Sequence, residues 1–124
     1  MTIQEAISRI DTIMPNGYSK AEKIRWLSEL DGKIIREIIN VSEFGKDVMF
    51  RPYDEDTDEN KSLIVEAPYD EMYIKWLESQ IEYANGEYNK YNNSITLFNS
   101  TLMTYSNLFN KKHIAQQKAN FKFY

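Results

Sequence analysis

The stretch IKWLESQIEYANGEYNKYNNSITLFNSTLMTYSNLF, residues 74–109, carries the strongest periodicity in the chain. Within it Ile74, Leu77, Ile81, Ala84, Tyr88, Tyr91, Ile95, Phe98, Leu102, Tyr105 and Phe109 step at alternating spacings of three and four. A period of about 3.5 residues marks a helix that lays one seam against other helices. The pattern is too long for its domain. Unbroken, residues 70–110 would form a rod of roughly 60 Å at 1.5 Å per residue. A globule of this size has a radius of gyration of roughly 14 Å. The helical region must bend back on itself or offer its seam to another subunit. Asn85-Gly86 and Asn92-Asn93-Ser94 are the two places where it could break. The seam keeps its phase through both. A continuous or kinked helix through Gly86 is therefore expected, with Asn92-Asn93 as the kink or turn.

Upstream, Thr2-Ile-Gln-Glu5 has the form of a capping box, a hydroxyl followed three residues later by a carboxylate. It predicts a short helix with Ile3, Ile7, Ile10 and Ile13 on one side, ended by the turn formers Pro15-Asn16-Gly17. Ser19-Lys-Ala-Glu22 is a second capping box. Its helix is expected to reach about Asn40, with Ile24, Leu27, Leu30, Ile34, Ile35, Ile38 and Val41 inward. Gly32 in its middle costs roughly 1 kcal/mol against alanine, so a kink or a closely packed backbone is expected there. Residues 44–67 leave the helical rule. Val48-Met-Phe50 and Leu63-Ile-Val65 are short and β-prone, and they flank Asp54-Glu-Asp-Thr-Asp-Glu-Asn60. An irregular insertion or a two-stranded hairpin with an acidic tip is expected. Pro68 suits the first turn of the long helical region, and Asp70 and Glu71 suit the positive end of its dipole. The fold class is all-α. It is a small helical bundle of residues 1–110 with a variable insertion and one long C-terminal helical region, followed by a tail of residues 111–124.

Composition narrows the function. The chain has 124 residues and 42% apolar content, enough for one small domain. Its net charge of −4 offers no general basic field for nucleic acid. The absence of cysteine excludes disulfides and thiolate metal sites and fits a reducing compartment. No apolar run approaches the roughly 18 residues of a membrane span, and no leader peptide is expected. Nine tyrosines and two tryptophans suit surfaces that are wet at one time and buried at another, as well as a small core.

No constellation suggests catalysis, a cofactor or a metal. Asp54, Asp56 and Asp58 have the odd spacing of a calcium loop. Glu59 stands where that loop needs glycine, and Val65 where it needs the bidentate glutamate. A solvated, mobile loop tip is expected. His113, the lone histidine, sits beside two lysines without partners for acid–base work. Glu82, Glu87, Glu29 and Asp31 are expected as helix-surface carboxylates, and Trp26 and Trp76 as core. The last fourteen residues carry Lys111, Lys112, Lys118 and Lys122, the aromatics Phe121, Phe123 and Tyr124, and no acid. Alternating cation and aromatic suits docking on an acidic surface. Tyr88 and Tyr91 on the long seam, together with these seven, are the candidate contact residues. No specific nucleic acid and no membrane is expected as partner.

Ser19-x-x-Glu-Lys-Ile-Arg-Trp-Leu-Ser-Glu-Leu-Asp31, Ala-Pro-Tyr69-Asp-Glu-Met-Tyr-Ile-Lys-Trp76-Leu-Glu and Tyr83-Ala-Asn-Gly-Glu-Tyr-Asn-Lys-Tyr-Asn-Asn93 give the chain a resemblance. It is similar to proteins of tailed-phage and prophage structural gene clusters. That group resembles the head–tail connector (adaptor, head-completion) family. The shared pattern is short helices, a variable middle segment and a proline-led long helix with aromatics. It spans about 100 residues and brings no catalytic residue. The resemblance implies a self-assembled ring, twelvefold, between the portal protein and a downstream tail-completion protein at the virion neck. Before assembly the subunit would reside in the host cytoplasm. The middle segment and the C-terminal tail would contact neighbours. The alternative is a small helical partner-binding or regulatory protein of a prophage, with a groove for a peptide or helix.

Overall fold

The computed structural model describes residues 1–40, 48–56 and 58–120, with side chains as far as Lys111. Four helices make up most of it: α1 (Ile3–Ile13), α2 (Lys20–Ile34), α3 (Met72–Ala84) and α4 (Tyr88–Asn120). There is no strand among the described residues, and the all-α class is as expected.

Both hydroxyl N-caps form. Thr2 Oγ1 accepts from the Glu5 amide and Ser19 Oγ from the Glu22 amide, each at 3.1 Å. Helix α2 does not stop at Ile34. It widens into a π-helical turn over Ile35–Ile39, closed by the Asn40 amide on the Ile35 carbonyl. Gly32 is packed by a side chain rather than a backbone. A Cβ there would lie 3.2 Å from the Phe50 ring. The inner faces of α1, α2 and α3 meet in a core that includes Ile3, Ile10, Leu27, Leu30, Met72, Tyr73, Leu77 and Ile81. Ile13 departs from its expected face and is 53% exposed, since α1 runs past the edge of that core. Val41 lies outside the described residues.

The hairpin does not form among the described residues. Segments 48–56 and 58–67 instead lie against the helices, which supply the acceptors a partner strand would have given. The Tyr53 amide donates to Ser28 Oγ at 2.7 Å, Ile64 to Asp31 at 3.2 Å and Val65 to Tyr73 Oη at 2.8 Å. At the other end the Ile3 and Gln4 amides donate to the Lys61 and Glu59 carbonyls. These contacts satisfy amides that a helix N-terminus leaves free. The acidic segment is solvated in part: Asp54, Glu55, Asp56 and Asn60 are exposed, while its later half is tied to the body. Asp58 is buried, accepts from the Asp54 amide at 2.7 Å and pairs with Arg51, and Glu59 pairs with Lys20 at 2.5 Å.

The long helical region breaks at Gly86, not at Asn92-Asn93. Gly86 has φ +77°, a left-handed conformation that favours glycine. Its amide bonds to the Tyr83 carbonyl and the Glu87 amide to the Glu82 carbonyl, a Schellman cap. Local capping chemistry outweighs the unbroken seam. Asn92 and Asn93 sit inside α4 with exposed side chains and leave its ladder intact. Helix α4 turns back antiparallel along α3, so the two halves of the seam face each other. Glu82 meets Ser94, Trp76 meets Phe98 at 5.1 Å between ring centroids, and Tyr69 meets Tyr105 at 6.2 Å. The main partner of the later seam is therefore α3 rather than the helix of residues 20–40. Trp76 extends the contact to α2 by donating its indole N–H to the Trp26 carbonyl at 2.8 Å. No separate tail begins at residue 111, for α4 continues to Asn120.

Candidate assembly surface

Helix α4 has 33 residues and α3 has 13. At 1.5 Å per residue the difference is roughly 30 Å. The first half of α4 is covered by α3 and the second half is not. After Phe109 the seam positions turn polar and basic, with Lys111 exposed. Along the flank of α4, Leu97 and Met103 stand in water.

The tight turn before α4 gathers three tyrosines. Tyr83 from the end of α3 meets Tyr88 and Tyr91 edge-to-face, with centroids 5.6 and 5.2 Å apart. Tyr83 and Tyr88 are 57% and 58% exposed. The turn is tied to the body by Tyr18 Oη donating to Asn85 Oδ1 at 2.6 Å. Tyr88 and Tyr91 thus share one patch, to which Tyr83 is an addition that the seam pattern did not single out. Lys111 lies at the far end of α4, about 30 Å from Tyr91 at helical rise, so the tyrosine patch and the basic end are separate surfaces. Lys112 and Lys118 follow on the same helix, their side chains outside the described part. Phe121, Lys122, Phe123 and Tyr124 lie outside the described residues.

A groove of about 440 Å³ runs beside the second half of α4. Tyr105, Leu108 and Phe109 form one wall; Ile39, Ile64, Glu66, Ala67 and Tyr69 form the other. Its lining comes from three distant parts of the chain. Tyr105 and Phe109 belong to the seam, Ile64 to a β-prone run and Ala67 and Tyr69 to the Ala-Pro-Tyr69 motif, and no local signal brings them together. The Tyr105 phenol is held neutral: burial raises its pKa first, and the charges of Asp31 and Glu66 raise it further. Charge divides along the molecule. Four of its 15 basic residues and none of its 19 acidic ones fall in residues 111–124. The first 110 residues therefore carry −8 and the remainder +4.

Two carboxylates expected at the surface are inside. Asp31 is 0% exposed and accepts from Tyr53 Oη, Tyr73 Oη and the Ile64 amide. Burial pushes its pKa up against the lowering effect of these donors. It has no opening to a ligand. Glu82 is buried against Ser94. Among the described residues no three acidic or histidine side chains are placed to share a metal ion, and no helix is long and apolar enough to cross a membrane. Compared with known protein families, curated proteins and solved structures, the chain matches none.

Proposed function

We propose that the chain is a structural assembly subunit that works by binding alone. It forms a ring with its own copies between the portal and the tail-completion protein at the neck of a tailed phage. The observation that carries this reading is the mismatch between α4 and α3. A helix about 20 residues longer than the one it packs along, with a basic end, offers length on which a neighbour can pack. A neighbour presenting the same mismatch makes a head-to-tail contact, and such contacts close into a ring when the rotation allows. The Trp26, Trp76 and Tyr83–Asn93 segments resemble proteins of phage and prophage structural gene clusters, and the resemblance of that group to connectors in helix order supplies the location and the twelvefold symmetry. The groove beside α4 favours a second reading, a regulator that accepts a helix or peptide from a partner.

Oligomeric state separates the two. The full chain should sediment as a concentration-dependent oligomer, or be driven into one by portal particles from the same genome. Negative-stain images should then show rings. A chain that remains monomeric at high concentration and ignores the portal would overturn the assembly reading. Saturable binding of one peptide by that monomer would favour the regulator.

A further inference from the structure

We infer that the groove between α4 and the Ile64–Tyr69 segment receives residues 121–124 of a second copy of the chain, an inference that rests on the assembly reading above. The groove has the size of a binding cleft, about 440 Å³. Its walls are aromatic and aliphatic through Tyr69, Tyr105, Leu108 and Phe109, and Glu66 places one exposed carboxylate among them. The segment Phe121-Lys-Phe-Tyr124 is its chemical complement, three aromatics around one cation. Aromatic side chains anchor where they enter an apolar cleft, and a lysine beside a carboxylate sets the register. The same polarity holds on the larger scale, since the segment lies in the +4 part of the chain and the groove in the −8 part.

Reach makes the contact intermolecular. Helix α4 carries the chain eleven residues beyond Phe109, to Asn120, about 16 Å at helical rise. Four residues fully extended span at most about 14 Å. The segment as a whole therefore cannot lie in the groove of its own chain while α4 stays helical, because Phe121 follows Asn120 directly and stays beyond reach. A second copy has no such limit. Each copy offers both a groove and a segment, so the contact is heterologous and propagates from copy to copy.

The chain contains no cysteine, which makes a cross-link test direct. Full-length Leu108→Cys and a tagged full-length Phe123→Cys are mixed and oxidised mildly. Leu108 is 39% exposed, so its replacement leaves the core intact. A mixed dimer that exceeds either homodimer is expected. Glu66→Lys and Lys122→Glu should each weaken self-association about threefold, as for an exposed ion pair, and together restore it. Self-association that persists without the mixed cross-link or the charge rescue overturns this inference and leaves the assembly reading standing. A double cysteine variant that closes only within one chain also overturns it. A chain that never self-associates, with or without portal particles, overturns both.

Discussion

Tyr73 Oη donates to Asp31 Oδ1 at 2.5 Å across 42 residues of sequence, and both side chains are fully buried. This bond joins α2 to α3. The other oxygen of Asp31 takes Tyr53 and the Ile64 amide, which joins both helices to the segment that crosses them. The Tyr73 hydroxyl also accepts from the Val65 amide. Every donor around this carboxylate thus belongs to a different part of the chain. Tyr73→Phe leaves the Val65 amide and one Asp31 oxygen unpaired in the interior. It should cost about 1–3 kcal/mol. Urea titration followed by tryptophan fluorescence measures this, and an unchanged midpoint would show that water replaces the hydroxyl.

Asp31 also sets a sign for the pH dependence. Its pKa is raised by burial above the unfolded value, so the folded state holds the proton more tightly. That contribution is fully present below the unfolded pKa of about 3.9 and is lost as pH rises through the folded pKa. Asp31→Asn cannot titrate. Its stability deficit against the parent should shrink as pH rises from about 4 toward neutrality. Glu71 acts in the opposite direction, because the Arg9 guanidinium at 2.6 Å lowers its pKa. Its contribution is present above the unfolded pKa and lost as pH falls. Both partners are well exposed, which limits it to less than about 1 kcal/mol. Urea midpoints across the acid range for the parent, Asp31→Asn and Glu71→Gln separate the two. A deficit for Asp31→Asn that grew with pH would reverse the assignment.

Phe98 sits on α4 with 2% of its surface exposed and packs on Trp76. Phe98→Ala should cost about 3–5 kcal/mol. Leu102, one turn on, is only half-buried, so its truncation should cost less. Equal and negligible losses at both positions would mean that α4 does not pack on α3 in solution.

These elements were not equally legible. The caps at Thr2 and Ser19 lie within a few residues of what they cap, and local chemistry is readable. The seam from Ile74 to Phe109 marks the helices and most of their inward faces, with Ala84 and Tyr88 beside the turn left exposed. It misplaced the break, because Ala84 and Tyr88 remain four apart across the turn and the phase is kept. Gly86 was the deciding residue. Asp31 was illegible as a buried hub, since Tyr53, Ile64 and Tyr73 are remote in sequence. The acceptors on Ser28, Asp31 and Tyr73 likewise explain why two β-prone segments do not pair. The groove was hidden for the same reason: Ile39, Ile64 and Leu108 meet only in three dimensions. Gly86→Ala tests the corrected break. Holding alanine at positive φ should cost about 1–2 kcal/mol, whereas a helix continuous through residue 86 would be stabilised by it.

The final prediction concerns the end of α4. Residues 111–120 prolong the helix beyond Tyr105, which pairs with Tyr69 of the body, and beyond Phe109. Lys111 is exposed, and the segment has no acidic residue to hold its lysines in place. Removing residues 111–124 should therefore leave stability within about 1 kcal/mol, as for an exposed terminus. The lost residues are the basic and aromatic ones assigned to docking. The truncated chain should lose self-association and incorporation into particles while keeping its circular dichroism spectrum. Melting far below the full-length protein would place the segment in the fold. Normal assembly would remove its docking role and leave the tyrosine patch at Tyr83, Tyr88 and Tyr91 as the remaining contact surface.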